Sequence, residues 1–186
     1  MNICVYGAAS DNIDPAFISA AEKLGELIAQ NGHTLVFGGG ATGVMGACVR
    51  GVVAKNGRSI GVAPKFFDEP GILYKGCTEF KFTETMRERK QLMEDLADAF
   101  VVAPGGIGTY EEFVEILTLK QLGRHNKPIA MLNTSGYYEP MNALMKNTVD
   151  RGFMKAQCLE LYKSLDTAQA ILDYIEAETE KTGSQR

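Results

Sequence analysis

Two glycine-rich stretches and a handful of charged residues are the parts of this sequence that could do chemistry. Gly38–Gly46 reads GGGATGVMG, and Pro104–Thr109 reads PGGIGT. Glycine permits positive φ and lets a ligand approach the main chain closely. Where such a loop opens a helix, free N–H groups and the helix dipole favour an anion, phosphate above all. Either loop alone would also serve as a tight turn; two of them at one edge of a sheet favour phosphate. Gly38–Gly43 formally matches G-x-G-x-x-G, the dinucleotide fingerprint. It follows the second strand rather than the first, however, and the strand Arg58–Ala63 ends in Pro64-Lys65 with no acid for a ribose. No glycine precedes Lys-Ser or Lys-Thr, so a Walker loop is absent.

The charged candidates stand beside the second loop and on a neighbouring helix. Glu111, Glu112 and Glu115 crowd the start of the helix that the second loop opens. They can compensate its dipole, with Thr109 and Glu112 forming a capping box. A carboxylate one turn beyond a phosphate loop can equally reach a ribose. Met86, Arg89, Lys90 and Met93 recur at i, i+3, i+4 and i+7, which puts them on one helix face. Methionines at that spacing mean core, so Arg89 points inward and needs a partner. Glu112, a ligand phosphate or a neighbouring subunit would each serve. Arg87 and Glu88 fall on the solvent side.

The elements that must position these residues alternate from end to end. Strands are expected at Asn2–Tyr6, Thr34–Phe37, Arg58–Ala63, Thr78–Phe82, Asp98–Ala103, Lys127–Leu132 and Cys158–Tyr162. Helices are expected at Pro15–Asn31, Gly43–Asn56, Thr85–Ala97, Thr109–Leu122 and Tyr138–Arg151, with a last one capped by Asp166 and ending near Thr179. Repeated strand–helix units with apolar strands imply an α/β, Rossmann-like domain: a doubly wound parallel sheet with helices on both faces. Residues 1–180 form one nucleotide-binding domain in this reading, and Lys181–Arg186 a frayed tail.

Bulk properties narrow the function. A net charge of −4 over 186 residues argues against nucleic-acid or membrane-surface partners, which need a basic footprint. Backbone N–H groups must then do much of any phosphate binding. No apolar run approaches the ~18 residues of a membrane span, and MNICVYGAAS reads as a strand rather than a secretory signal. Cys4, Cys48, Cys77 and Cys158 are widely spaced, which suits free thiols in the cytoplasm. With only His33 and His125, no metal site is expected, and no cofactor.

At these residues the sequence resembles the Lonely guy family, the cytokinin riboside 5′-monophosphate phosphoribohydrolases. The family's PGGxGTxxE stands here as Pro104–Glu112, its M-x-x-R-K as Met86–Lys90, and its GGGxxGxMG loop as Gly38–Gly46. The similarity runs from Val5-Tyr6-Gly7 to beyond Leu132-Asn133. Two positions depart from it: Arg87, where many members have histidine, and GAASDN, where many have a Gly-Ser-Ser run and only Ser10 keeps a hydroxyl. The resemblance implies cleavage of the N-glycosidic bond of an adenine-type nucleoside 5′-monophosphate, in a homodimer. It implies Arg89 and Glu112 as catalytic, and Ser10, Gly43, Met86, Lys90, Gly105, Gly106, Gly108, Thr109 and Thr118 as substrate- or phosphate-binding. Similar proteins have been labelled lysine decarboxylases, but His125 is followed by Asn126, not by the lysine of a pyridoxal phosphate anchor. A different class shares the expected fold: molybdenum-cofactor carriers, which bind a phosphorylated ligand without turning it over. Retention of both Arg89 and Glu112 favours the hydrolase.

Overall fold

The computed structural model describes residues 1–183. Among them, seven strands form one parallel sheet in the order β4-β3-β2-β1-β5-β6-β7. The strands are β1 (Asn2–Tyr6), β2 (Thr34–Phe37), β3 (Arg58–Pro64), β4 (Glu79–Thr83), β5 (Ala99–Val102), β6 (Ile129–Leu132) and β7 (Lys163–Leu165). The helices are α1 (Pro15–Gln30), α2 (Gly43–Ala54), α3 (Met86–Leu96), α4 (Ile107–Gln121), α5 (Glu139–Asp150) and α6 (Ala168–Gly183). The order reverses between β1 and β5: the chain first winds outward through β2, β3 and β4, then returns to β5 and winds the other way. Ligands of open α/β sheets sit at such a switch point, outside the carboxyl ends of the strands.

Beyond Asn2 and Thr34 at their starts, β1, β2, β5 and β6 are apolar throughout, because helices cover both faces. Ile3, Val5, Leu35, Phe37, Val101 and Leu132 pack with α1, α2 and α6. Their alternate neighbours Cys4, Tyr6, Val36, Phe100, Val102 and Met131 pack with Met93 of α3 and with Phe113, Ile116 and Leu117 of α4. Asp14 caps α1, accepting from the Ala16 N–H at 2.8 Å, with Pro15 at the first helical position. Among the described residues, no helix is long and apolar enough to cross a membrane. All four cysteines are free thiols, and Cys77 alone of them is not buried.

Three expected details differ. Cys158–Tyr162 is not a strand: Ala156–Glu160 form a 3-10 turn, and β7 follows as three residues. Cys158 and Tyr162 still face the core, which is what their apolar character reflected. Asp166 does not cap α6. Its carboxylate accepts from the Asn133 side-chain amide at 3.1 Å, and Thr167 Oγ1 accepts from the Ala170 N–H instead. The last helix also continues past Thr179 to Gly183, taking in the start of the stretch expected to fray; residues 184–186 of that stretch lie outside the described residues.

Candidate active site

At the carboxyl edge, the loop after β1 is held between the two glycine loops. Ala8 donates its N–H to Pro104 O at 3.0 Å, while its carbonyl accepts from the Met45 N–H at 3.1 Å. Thr42 Oγ1 donates to Ala9 O at 2.6 Å. Gly43 has φ +60, and a Cβ there would lie 2.6 Å from Ala8 O, so glycine is required both by conformation and by the close approach of the loop. The three loops at the switch point therefore form one connected rim.

α4 begins at this rim, two residues earlier than expected, with Gly106 as its N-cap. No side chain caps it and no acid stands in its first turn. The helix start is thus left with its partial positive charge uncompensated from within. Gly106 and Gly108 are exposed and bordered by open space, whereas Gly105 and Thr109 are buried. The earlier start makes Thr109 the third helical residue, so the Thr109–Glu112 capping box does not form. Glu112 instead turns inward.

Inside, Glu112 meets Arg89. Both are only 8% exposed, and Arg89 Nη1 donates to Glu112 Oε1 in a charge-assisted bond. Helix phase explains the meeting. Thr85 and Glu88 form a complete capping box that starts α3, and one turn on from Arg89 the fully buried Met93 defines the inner face. The guanidinium lies against the first glycine loop, where a Cβ on Gly38 would overlap Arg89 Nη2. Burial pushes the Glu112 carboxyl above its ordinary value, and Arg89 opposes that rise without cancelling it. Such a carboxylate is more basic than a solvated one.

Lys90, rotated by about 100° from Arg89 on a 3.6-residue period, makes a second link between the helices. Its ammonium pairs with Glu111 and, at 3.0 Å, with Glu115. Burial lowers its pKa, but the two carboxylates outweigh that and leave it raised. Arg87 and Glu88 are exposed, as their phase requires. Met86 is not inward-facing: it is 40% exposed at the first helical position, where the turn has not yet reached the core. Ser10 is exposed in the loop after β1. Thr118 is exposed on the same face of α4 as Glu111, Val114 and Glu115, two turns past Glu111 and directed away from the Arg89–Glu112 pair.

Two features escaped sequence reasoning. Tyr137 Oη donates to Gly105 O at 2.7 Å and sits 3.0 Å from Tyr110 Oη, and Tyr138 Oη donates to Ala103 O at 2.7 Å. These phenols fasten the second glycine loop from behind, and burial together with the Tyr110 hydroxyl raises the pKa of Tyr137 to about 12. Asp11 Oδ1 accepts from the Gly43 N–H at 2.7 Å and so occupies the start of α2. A Tyr-Tyr pair thirty-odd residues past a glycine loop carries no local signature. An acid followed by Asn-Ile-Asp-Pro reads as part of the α1 start rather than as a cap for another helix.

The switch-point location, the uncapped helix start and the buried Arg–Glu pair mark an α/β protein with a candidate anion site at the carboxyl edge of its sheet. The profile of a family described as "possible lysine decarboxylase" matches residues 45–175. The chain is 38% identical over 177 residues to a protein of Oryza sativa subsp. japonica named "Probable cytokinin riboside 5'-monophosphate phosphoribohydrolase", covering 95% of this chain and 79% of that one. It is 36% identical over 170 residues to the cytokinin riboside 5'-monophosphate phosphoribohydrolase of Mycobacterium tuberculosis, covering 91% and 90%. The chain belongs to this family, the Lonely guy phosphoribohydrolases grouped under that decarboxylase description. Among solved structures, the Moco carrier protein of Chlamydomonas reinhardtii shares the fold, with a TM-score of 0.74 at 22% identity over 97% of this chain and 98% of that one.

Proposed function

We propose that the protein hydrolyses the N-glycosidic bond of adenine-type nucleoside 5′-monophosphates, cytokinin riboside monophosphates or AMP, to free base and ribose 5-phosphate. The observation that carries this reading is the buried Arg89–Glu112 pair one turn past an uncapped helix start. The relatives' names supply the same reaction. The phosphate sits on the start of α4, held by the backbone at Gly105, Gly106, Gly108 and Thr109, with Gly43 and Ser10 at the opposite side of the rim. The ribose then lies toward Glu112.

Breaking the bond between C1′ and the base nitrogen leaves the electron pair on the base and positive charge on the ribose. The Glu112 carboxylate stabilises that charge and accepts a proton from the water whose oxygen bonds to C1′. The departing base takes up a proton, which balances the reaction. Arg89 holds Glu112 in place, and its charge favours departure of the base. Lys90 keeps Glu111 and Glu115 drawn to one side, so that one carboxylate faces the sugar.

The same reading makes the protein a cytoplasmic homodimer. Phe113, Ile116 and Leu117 are buried on the inner face of α4, while Ile107 is 84% and Val114 46% exposed on the outer face beside Glu111, Glu115 and Thr118. Large apolar side chains exposed on one helix face are a surface that a second copy can cover. A second copy on that face would also bring Thr118, and the exposed Met86, to a site.

The test is incubation with AMP and with N6-isopentenyladenosine monophosphate, following released base. The reading expects base and ribose 5-phosphate in equal amounts from at least one of them. Tight binding of both with no base released would replace the hydrolase by a carrier of phosphorylated ligands.

A further inference from the structure

We infer that Asp11 is a specificity-determining residue that restricts the site to ligands with a single phosphate. This rests on the placement of that phosphate at the start of α4.

The rim contains two helix starts but only one free position for an anion. α2 has no acid in its first turn, and its N-cap Thr42 makes no side-chain capping bond, because Thr42 Oγ1 donates to Ala9 O instead. Asp11 fills that vacancy from another loop, 32 residues away in sequence, by accepting from the Gly43 N–H at 2.7 Å. The loop that carries it is anchored at Ala8, to Pro104 O and to the Met45 N–H, and at Ala9, to Thr42 Oγ1, which keeps Asp11 beside the start of α2. α4 has the same two deficiencies, an uncapped N-terminus and no acid in its first turn, and no side chain among the described residues caps it.

β2 and β5 flank β1, two strand spacings or roughly 10 Å apart, and α2 and α4 leave them on opposite faces of the sheet with the loop after β1 between their starts. A phosphate on α4 leaves the loop after β1 as the neighbouring wall. A second phosphate extending from the first toward the loop after β1 approaches the exposed Asp11 carboxylate, which already holds the Gly43 N–H group. Like charges brought closer than a Debye length repel, and the anion gains no donor in return. A ligand with one phosphate avoids the conflict. The first glycine loop then serves to hold the rim together and leave room for Arg89, not to bind a second phosphate.

The test compares calorimetric affinities for AMP and ADP, without divalent cations, in the parent, Asp11→Asn and Asp14→Asn. Asparagine keeps an oxygen for the Gly43 N–H and removes the charge; Asp14 caps α1 and controls for a general change of charge. The parent should prefer AMP by about tenfold or more. Asp11→Asn should narrow the AMP/ADP ratio about tenfold, equivalent to about 1.4 kcal/mol, and Asp14→Asn should leave it alone. A ratio in Asp11→Asn equal to the parent's, or a parent that binds both equally, overturns the inference. Base release from AMP is read separately. Release with an unchanged ratio overturns the role of Asp11 alone, whereas a shifted ratio without release overturns the hydrolase and leaves Asp11 as the selector.

Discussion

Glu111 and Glu112 are adjacent in sequence and differ in everything that matters for chemistry. Glu112 is buried against a guanidinium, and Glu111 is exposed and paired with Lys90. Glu111→Gln should therefore change turnover on AMP less than about threefold, because exposed pairs contribute little. Arg89→Ala should lower both turnover and melting temperature, since an unpaired carboxylate left in the core costs about 3–5 kcal/mol. A variant of Arg89 with parental stability and parental turnover would contradict the geometry. The pH dependence follows from the direction of the Glu112 shift. Catalysis needs the ionised form, so kcat/KM should fall as pH drops through a folded-state pKa that burial has raised above the ordinary glutamate value. That acid limb should disappear in Glu112→Gln; a limb that persists would assign it to another group. The inward phase of Arg89 was readable from its spacing to Met93, and Glu112 was among its possible partners. Asp11 was not readable, because its bond joins two loops whose proximity only the sheet order creates.

At the scale of elements, most strands and helices lie where apolar periodicity and caps put them, since central parallel strands must be apolar on both faces. The misreadings share a cause: tertiary contacts captured the groups that local patterns had assigned elsewhere. Asn133 took the carboxylate of Asp166, so Thr167 caps α6. Arg89 took Glu112, so no capping box formed on α4. Cys158–Tyr162 has the apolar content of a strand, but a 3-10 turn suffices to bury Cys158 and Tyr162 beside it. The tyrosines behind the second glycine loop make their own prediction. Removing the Tyr137 hydroxyl frees Gly105 O and should loosen the phosphate loop. A net hydrogen bond is worth about 0.5–1.5 kcal/mol, so Tyr137→Phe should weaken ribose 5-phosphate binding by up to about tenfold. Unchanged affinity by calorimetry would mean the phenol only fills space.

The whole molecule is a switch-point site built on two helices that lean together through charge, with Ile107 and Val114 exposed on the outer face of α4. If that face is the dimer surface, Val114→Asp should shift the solution mass from dimer to monomer, with the monomer still folded by circular dichroism. A parent that is monomeric in light scattering and fully active would contradict the shared-site arrangement. The central claim is that the Arg89–Glu112 pair makes this fold a hydrolase rather than a binding protein. It is tested most directly by AMP turnover in the parent and in Glu112→Gln, with AMP affinity and melting temperature measured on both. The account predicts adenine and ribose 5-phosphate in equal amounts from the parent. It predicts a loss of about 10²-fold or more in kcat for the variant, with affinity nearly kept, because the charge acts mainly in the transition state. A folded variant that turns over AMP at close to the parental rate would contradict it.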